Sequence, residues 1–324
     1  MIADFDIELW GLVNINSNNN HEISCNIDFK FEFDGTLVDY VKMLSNYSKE
    51  IVEDDFGNLR YIGADPYNYV QFNNENWRII GVMKDIENAD GSKSDKVKLI
   101  RNDSIGSFAW DAANKYQSAN NDWIYSNVKK VLNEGEYWNR TSGKCSDIAN
   151  ISSPCDFTSN GLTENAKNMI SESVWYLGGS SAYDITPKIF YEKERGTTVS
   201  SGHKTKWTGN VGLMYPSDYG YATGGGETTN RSTCLNTNLS HWSESSISDC
   251  KNNNWLYTGT EQVTMTPDSN SYYNVYSLSS SGSFSILSAN SIFAMFPVVY
   301  LNPDIGIERG GLGTSASPFV LEIE

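Results

Sequence analysis

Apolar residues along this chain fall into two periods, and the period changes mark its elements. Residues 27–33 (IDFKFEF) alternate strictly, as a half-buried strand should, and residues 2–15 (IADFDIELWGLVNI) alternate in part. The polar run NSNNNHE between them predicts an exposed turn. The pattern shifts at Asp34-Gly35. Thr36 then stands as the N-cap of a helix through LVDYVKMLSNY, with Leu37, Tyr40, Val41 and Leu44 on one face. Two strands, 68–73 and 76–83, read as a hairpin through an Asn-Glu turn, and 96–101 reads as the next strand. Helical spacing is expected over 122–132 and 163–177. The second carries a stripe of Leu162, Ala166, Met169, Ile170, Val174 and Leu177 and ends at Gly178-Gly179. Strands are expected at 207–215, 263–266, 272–278, 283–287, 292–301, 305–307 and 319–323. The pattern as a whole is α+β: two or three helices beside a small, mainly antiparallel sheet with long loops.

Composition narrows the function classes. The 324 residues suffice for one large core or two smaller ones, and 39% hydrophobic content marks a globular chain. A net charge of -16 leaves no basic stripe to neutralise phosphates, which excludes nucleic acid as a partner. It also disfavours charge-driven adhesion to anionic lipid. No stretch of about 18 apolar residues occurs, so no direct membrane insertion of this chain is expected. The first residues lack the charged-then-apolar order of a signal peptide, so an export segment, if one is used, is expected outside this chain. Asn makes up about 11% of the chain, which favours turns and irregular backbone.

The five cysteines point to an oxidising compartment. Cys145 and Cys155 are ten positions apart, and Cys234 and Cys250 sixteen, each pair bracketing a polar, turn-rich loop. Two loop-closing disulfides are expected, with Cys25 left over. There is no C-x-x-C, and His21, His203 and His241 are scattered, so neither a metal nor another cofactor is expected.

One segment differs in kind from the rest. In residues 265–291, ten of 27 are Ser, three Tyr and three Asn, with no Lys, Arg, His or Cys. Such a mixture suits a recognition surface: Tyr supplies rigid amphipathic area, and Ser and Asn supply adaptable hydrogen bonds. Strand alternation would put Tyr272, Asn274 and Tyr276 on one face, with Tyr273 on the other. Ser279–Gly282 would turn the chain so that Ser283 and Ser285 join the first face while Phe284 and Ile286 point inward. A second candidate patch is YPSDYGYATGGGE (215–227), where Tyr219 and Tyr221 stand beside a flexible glycine run; the alternative is that these rings cover the sheet.

Catalytic and metal chemistry find little support. There is no G-x-S-x-G or H-E-x-x-H, and Glu192 and Glu194 lie in a charged run. The nearest oxygen clusters for calcium are Asp249 with Asn252 to Asn254, and Asp218. The GGLG at 310–313 precedes no helix and is read as a turn rather than a phosphate loop.

Seven segments in order carry a family resemblance: YIGADPYNYVQFNNENWRIIGVM (61–83), VKLIRNDSIGSFAWD (97–111), NDWIYSNVKKVLNEGEYWNR (121–140), CDFTSNGLTENAKNMISESVWYLGG (155–179), WTGNVGLMYPSDYGYAT (207–223), DCKNNNWLY (249–257) and FPVVYLNPDIGIERGGLGTSASPFVLE (296–322). Over about residues 36–324 the chain resembles an uncharacterised domain family of surface and pilin-like proteins in low-G+C Gram-positive gut bacteria. The resemblance implies display at the cell surface or secretion, and agrees with paired cysteines at 145–155 and 234–250. The helices, irregular middle and closing strands also look like a C-type-lectin-like domain. Phe296 and Val263 depart from the Arg and Trp that relatives carry there. With the Tyr/Ser/Asn segment and the absence of catalytic motifs, the expected function is a non-catalytic, adhesin-like module. It would bind a host or bacterial surface protein or glycan through the 265–291 face, over a strand-rich extension or stalk junction at 1–35. In lectin-like proteins with hypervariable ends, retroelements that mutate adenines diversify such Asn- and Tyr-rich segments. The rival expectation is a minor-pilin-like or surface-layer structural subunit without a specific ligand.

Overall fold

The computed structural model describes residues 35–111, 120–143, 155–182, 185–308 and 310–323. The expected 1–35 extension, Cys25 and the Cys145–Cys155 pairing (through Cys145) therefore lie outside the described residues, save Gly35 and Cys155.

The fold is α+β and rich in sheet. The long Glu75–Glu87 strand (ENWRIIGVMKDIE) is its axis. Its central residues Trp77 to Met83, Gly81 included, are all buried, so both faces of the strand are covered, and paired strands flank it at both edges. Tyr69–Phe72 and Lys93–Arg101 pair with it antiparallel. The hairpin turn is Asn73-Asn74, not Asn-Glu: both have positive φ (57° and 62°), the left-handed pair that a two-residue hairpin loop needs. Leu59–Tyr61 joins the same axis at Gly81, where a Cβ would stand 1.9 Å from the Leu59 carbonyl oxygen. Glycine there lets the Leu59–Tyr61 strand close and carry Arg60 inward.

A second, five-stranded sheet runs in the order Phe284–Ser288, Asn274–Leu278, Gln262–Pro267, Ile292–Ala294, Ser107–Ala109. The expected 292–301 strand is in fact two. Ile292–Ala294 pairs in this sheet, and Val298–Tyr300 pairs in the nine-stranded one. Pro297 sits between them; it has no N–H to continue a ladder, so the chain changes sheets there. The expected 207–215 strand divides likewise, with Lys206–Gly209 in a two-stranded sheet and Val211–Gly212 in the large one.

Helices are shorter and more numerous than the sequence suggests: eight among the described residues, none longer than eight residues. Leu37–Leu44 forms as expected, with Thr36 Oγ1 accepting from Asp39 N and Leu37 and Val41 buried. The 122–132 helix is a 3-10 turn, Trp123–Tyr125, followed by Asn127–Asn133, with Ser126 breaking and recapping the chain. The 163–177 helix stops after Glu164–Met169; Ser173–Tyr176 is a strand paired with Lys206–Gly209. Its apolar stripe satisfied both periods, and pairing decided the outcome. No helix of the described residues is long and apolar enough to cross a membrane.

One disulfide, Cys234–Cys250, is present among the described residues, with both cysteines buried.

Candidate ligand-binding face

The residues singled out by composition separate into a buried set and an exposed set. Tyr219 and Tyr221 are buried, not exposed. The Tyr219 ring packs on Trp242 and Phe284, and its hydroxyl donates to the Gly282 carbonyl at 2.9 Å. The Tyr221 hydroxyl donates to Asp55 Oδ2. Tyr276 is buried too: its ring meets Phe190 edge-on, and its hydroxyl reaches the carbonyls of Ser180 and Ala182. These rings cover the sheets from within, and their hydroxyls are committed to the fold.

The expected strand face also comes apart. The strand begins at Asn274 rather than Tyr272. Tyr276 pairs with Ile286, whereas Ser285 pairs with Ser277, so Ser285 lies on the opposite face from Tyr276. The Ser285 and Ser277 hydroxyls meet at 3.2 Å. Ser283 closes a hydroxyl cluster with Ser279 and Ser281 at the turn. Ser283 and Ser285 are half-buried, and these serines hold one another. Phe284 does point inward, as alternation predicted, while Ile286 is only half-buried.

What remains exposed is a loop. Tyr272 and Tyr273 are 56% and 42% exposed, with rings edge-to-face at 5.1 Å. Their loop, 268–274, is held by its own carbonyls. The buried Asn121 side chain donates through Nδ2 to the carbonyls of Asp268 (3.0 Å), Ser271 (2.7 Å) and Asn274 (2.5 Å). Three carbonyls around one terminal atom identify it as nitrogen. Asn121 N donates to the Tyr272 carbonyl and Ala289 N to that of Tyr273. Ser200 Oγ donates to the Ser271 carbonyl at 3.1 Å. Two large rings thus stand on backbone that is already ordered. Beside the loop lies a shallow cleft with room for about one water, lined among others by Asn121, Trp123, His203 and Pro267.

Comparison with protein-family models, with curated proteins and with solved structures finds no match to this chain.

A second constellation, which sequence patterns did not reveal, lies in the interior. Asp218 Oδ1 accepts from Arg60 at 2.8 Å, and Oδ2 from Lys98 at 2.5 Å and from Tyr215 N at 2.9 Å. Arg60 also pairs with Asp54 at 2.8 Å. The Lys98 ammonium faces the rings of Tyr215, Tyr300 and Trp175. Burial pulls the Lys98 ammonium down to about 8, since Asp218 offsets only part of that cost. Burial pushes the Asp218 carboxyl up, but Lys98 and Arg60 together outweigh it and hold it at about 2. Two cations against two carboxylates make the group neutral, which is how buried charge is tolerated. The SDYGYA run carries this centre through its Asp, while its tyrosine rings cover the sheet, the alternative reading of that patch.

Acid should weaken this centre. The folded Asp218 value lies below its ordinary 3.8, so its contribution is present above pH 3.8 and is lost as pH falls toward 2. The loss is roughly 2 kcal/mol. Glu194, buried beside Ser217, works with the opposite sign: burial, only partly offset by Arg195, raises its value. Urea unfolding of wild type and Asp218→Asn between pH 5 and 2 should show a steeper acid loss in the wild type. Parallel curves would contradict the assignment.

Lys96 is buried as well, with the Ser171 and Ser173 hydroxyls each at 2.7 Å. A serine beside a lysine of lowered pKa has the elements of a nucleophile and base, and burial brings Lys96 to about 8. All three side chains are sealed in the interior, so an acyl substrate has no approach. Asp249, weighed for calcium, accepts instead from the Thr228 N–H and hydroxyl and from the Thr229 N–H. Among the described residues no group of three or more metal-ligating side chains is assembled.

Proposed function

We propose that this chain is a non-catalytic binding module, C-type-lectin-like in fold and displayed outside the cell. It presents the Tyr272–Tyr273 loop to a host or bacterial surface protein or glycan. The observation that carries this reading is the pairing of two exposed aromatic rings with a backbone pinned by one buried amide. Aromatic side chains offer large contact area at small entropy cost, and an ordered loop avoids paying for order on binding. The Cys234–Cys250 disulfide supports an oxidising, extracellular setting.

The proposed face is narrower than the composition of 265–291 implies. It comprises Tyr272 and Tyr273 with the flanking Ser269 to Ser271, whereas Tyr276, Ser277 and Leu278 are interior. Retroelement diversification, in this reading, is confined to such accessible positions. Gene variants with adenine-directed changes at Tyr276 or Leu278 would contradict that restriction. Phe296 and Val263, where the resembling family differs, are buried and act on the face only through its support.

An array of surface glycans and surface proteins from gut bacteria and host epithelium tests the proposal. Binding to at least one class, by a protein that stays monomeric, is expected. A negative array together with self-assembly into filaments or sheets would favour the structural-subunit reading.

A further inference from the structure

The five-stranded sheet ends on the strand Phe284–Ser288, whose outer edge pairs with no strand among the described residues. The ladder to Asn274–Leu278 fixes which groups lie on that edge. Ser279 N donates to the Ser283 carbonyl and Ala289 N to the Tyr273 carbonyl, both at 2.8 Å. Antiparallel strands exchange hydrogen bonds at every second pair, so between these ends the bonded pairs are Ser277 with Ser285 and Val275 with Leu287. The N–H and C=O groups of Phe284, Ile286 and Ser288 therefore point away from the sheet. The Ser288 carbonyl accepts from Ser291 N at 2.9 Å; the others have no hydrogen-bond partner among the described residues.

Both ends of the large sheet are treated differently. At Val211–Gly212 the Asn133 side chain accepts from the Val211 N–H and donates to the Val211 carbonyl, each at 2.9 Å. At Ile305–Glu308, Thr36 bridges to Gly306. Open edges are ordinarily blunted by Lys, Pro or a bulge. Phe284–Ser288 (FSILS) has no charge and no proline, and its register runs without a shift. Ser285 to Ser288 are half-buried. Ile286 and Leu287 are adjacent and so face opposite sides, which puts apolar surface along both flanks of the edge. Leu239–His241 packs near the strand but makes no hydrogen bond to its outward groups.

The chemistry of this edge selects an occupant. A donor and an acceptor on one residue, repeated about every 6.8 Å, match the edge of another extended polypeptide. A sugar ring presents no such row, and a helix spends its own N–H and C=O groups internally. The chain's net charge of -16 disfavours an acidic segment. The edge also runs into the recognition loop: Ser288 pairs with Asn274, and Ala289 N holds the Tyr273 carbonyl. We propose that Phe284–Ser288 is a strand-addition site for an extended, non-acidic segment of a partner protein, which continues onto Tyr272 and Tyr273. The assignment rests on the binding-module reading and specifies its ligand as a polypeptide.

The test selects short random peptides, displayed on phage, against the immobilised protein. The tightest peptide is then added in excess to protein labelled with nitrogen-15 in isoleucine, in which the Ile286 N–H signal is the one lost in Ile286→Val. Exchange of that amide with solvent should slow about tenfold or more once the added strand bonds it. Ile286→Pro removes an outward donor that the fold does not use, as proline on an edge strand can, and should weaken the peptide about tenfold. If that variant does not fold, amide exchange in the wild type decides alone. Failure to select any peptide, or a bound peptide that leaves Ile286 exchange unchanged, would overturn the proposal. So would Ile286 protection that grows with protein concentration without peptide, since the occupant would then be a second copy of this chain. Failure here is distinct from failure of the wider reading. A ligand lost on changing Tyr272 and Tyr273, with Ile286 exchange unmoved, sinks the strand-addition site alone. A peptide that protects Ile286 regardless of those tyrosines upholds the site and sinks the loop.

Discussion

Asp218→Ala should cost about 3–5 kcal/mol of folding stability, the range for breaking a buried ion pair from one side. The substitution leaves the Lys98 ammonium among aromatic rings without its carboxylate, takes one of two carboxylates from Arg60, and orphans Tyr215 N. The loss should appear as a fall in Tm of about 6–15 °C, at roughly 2–3 °C per kcal/mol for a chain of this size. Asp218→Asn keeps an acceptor but not the charge and should fall between. Lys98→Met combined with Asp218→Ala should lose less than the sum of the single variants, because much of the single cost is the stranded charge. A loss under about 1 kcal/mol in Asp218→Ala would mean that the four charges are not the keystone described.

Removing the Cys234–Cys250 disulfide by Cys234→Ser with Cys250→Ser should cost about 3 kcal/mol. The bond closes sixteen positions of polar chain. Within that span, Trp242 alone is a large buried anchor, packed on Tyr219, and Leu239 a smaller one. Urea midpoints of oxidised wild type and the double serine variant measure the difference. Peptide mapping without reductant should recover the two cysteines in one fragment. Separate fragments, or equal midpoints, would contradict it.

Where pattern and local chemistry agreed, the fold was legible from sequence. The WRIIG hairpin, the Thr36 cap and the closing strands follow from alternation and capping alone. What was not legible depended on distant partners. The Ile170–Leu177 stretch fits a helix and a strand equally, and the partner at Lys206–Gly209 lies thirty positions on. Pro297 was visible, but its consequence, a change of sheet, required knowing that two sheets exist.

The site was legible in part for a related reason. Tyrosine is amphipathic, so its abundance does not say whether the ring faces water or core. Tyr272 and Tyr273 face out because a loop carries them; Tyr276, three residues on, is drawn in by the pairing of its strand. Nothing in the residues around Asn121 marks it as the side chain that holds a loop about 150 positions away. Its three contacts exist only in the folded chain.

The most direct measurement is affinity for whichever array ligand binds, in wild type and in Tyr272→Ala with Tyr273→Ala, with Tm recorded for both. Both rings are largely solvent-facing, so Tm should move by no more than a degree or two at the roughly ±0.5 kcal/mol expected of surface substitutions. Affinity should fall by about 30-fold or more, as for aromatic anchors worth at least 2 kcal/mol. Unchanged affinity at unchanged Tm would contradict the recognition loop.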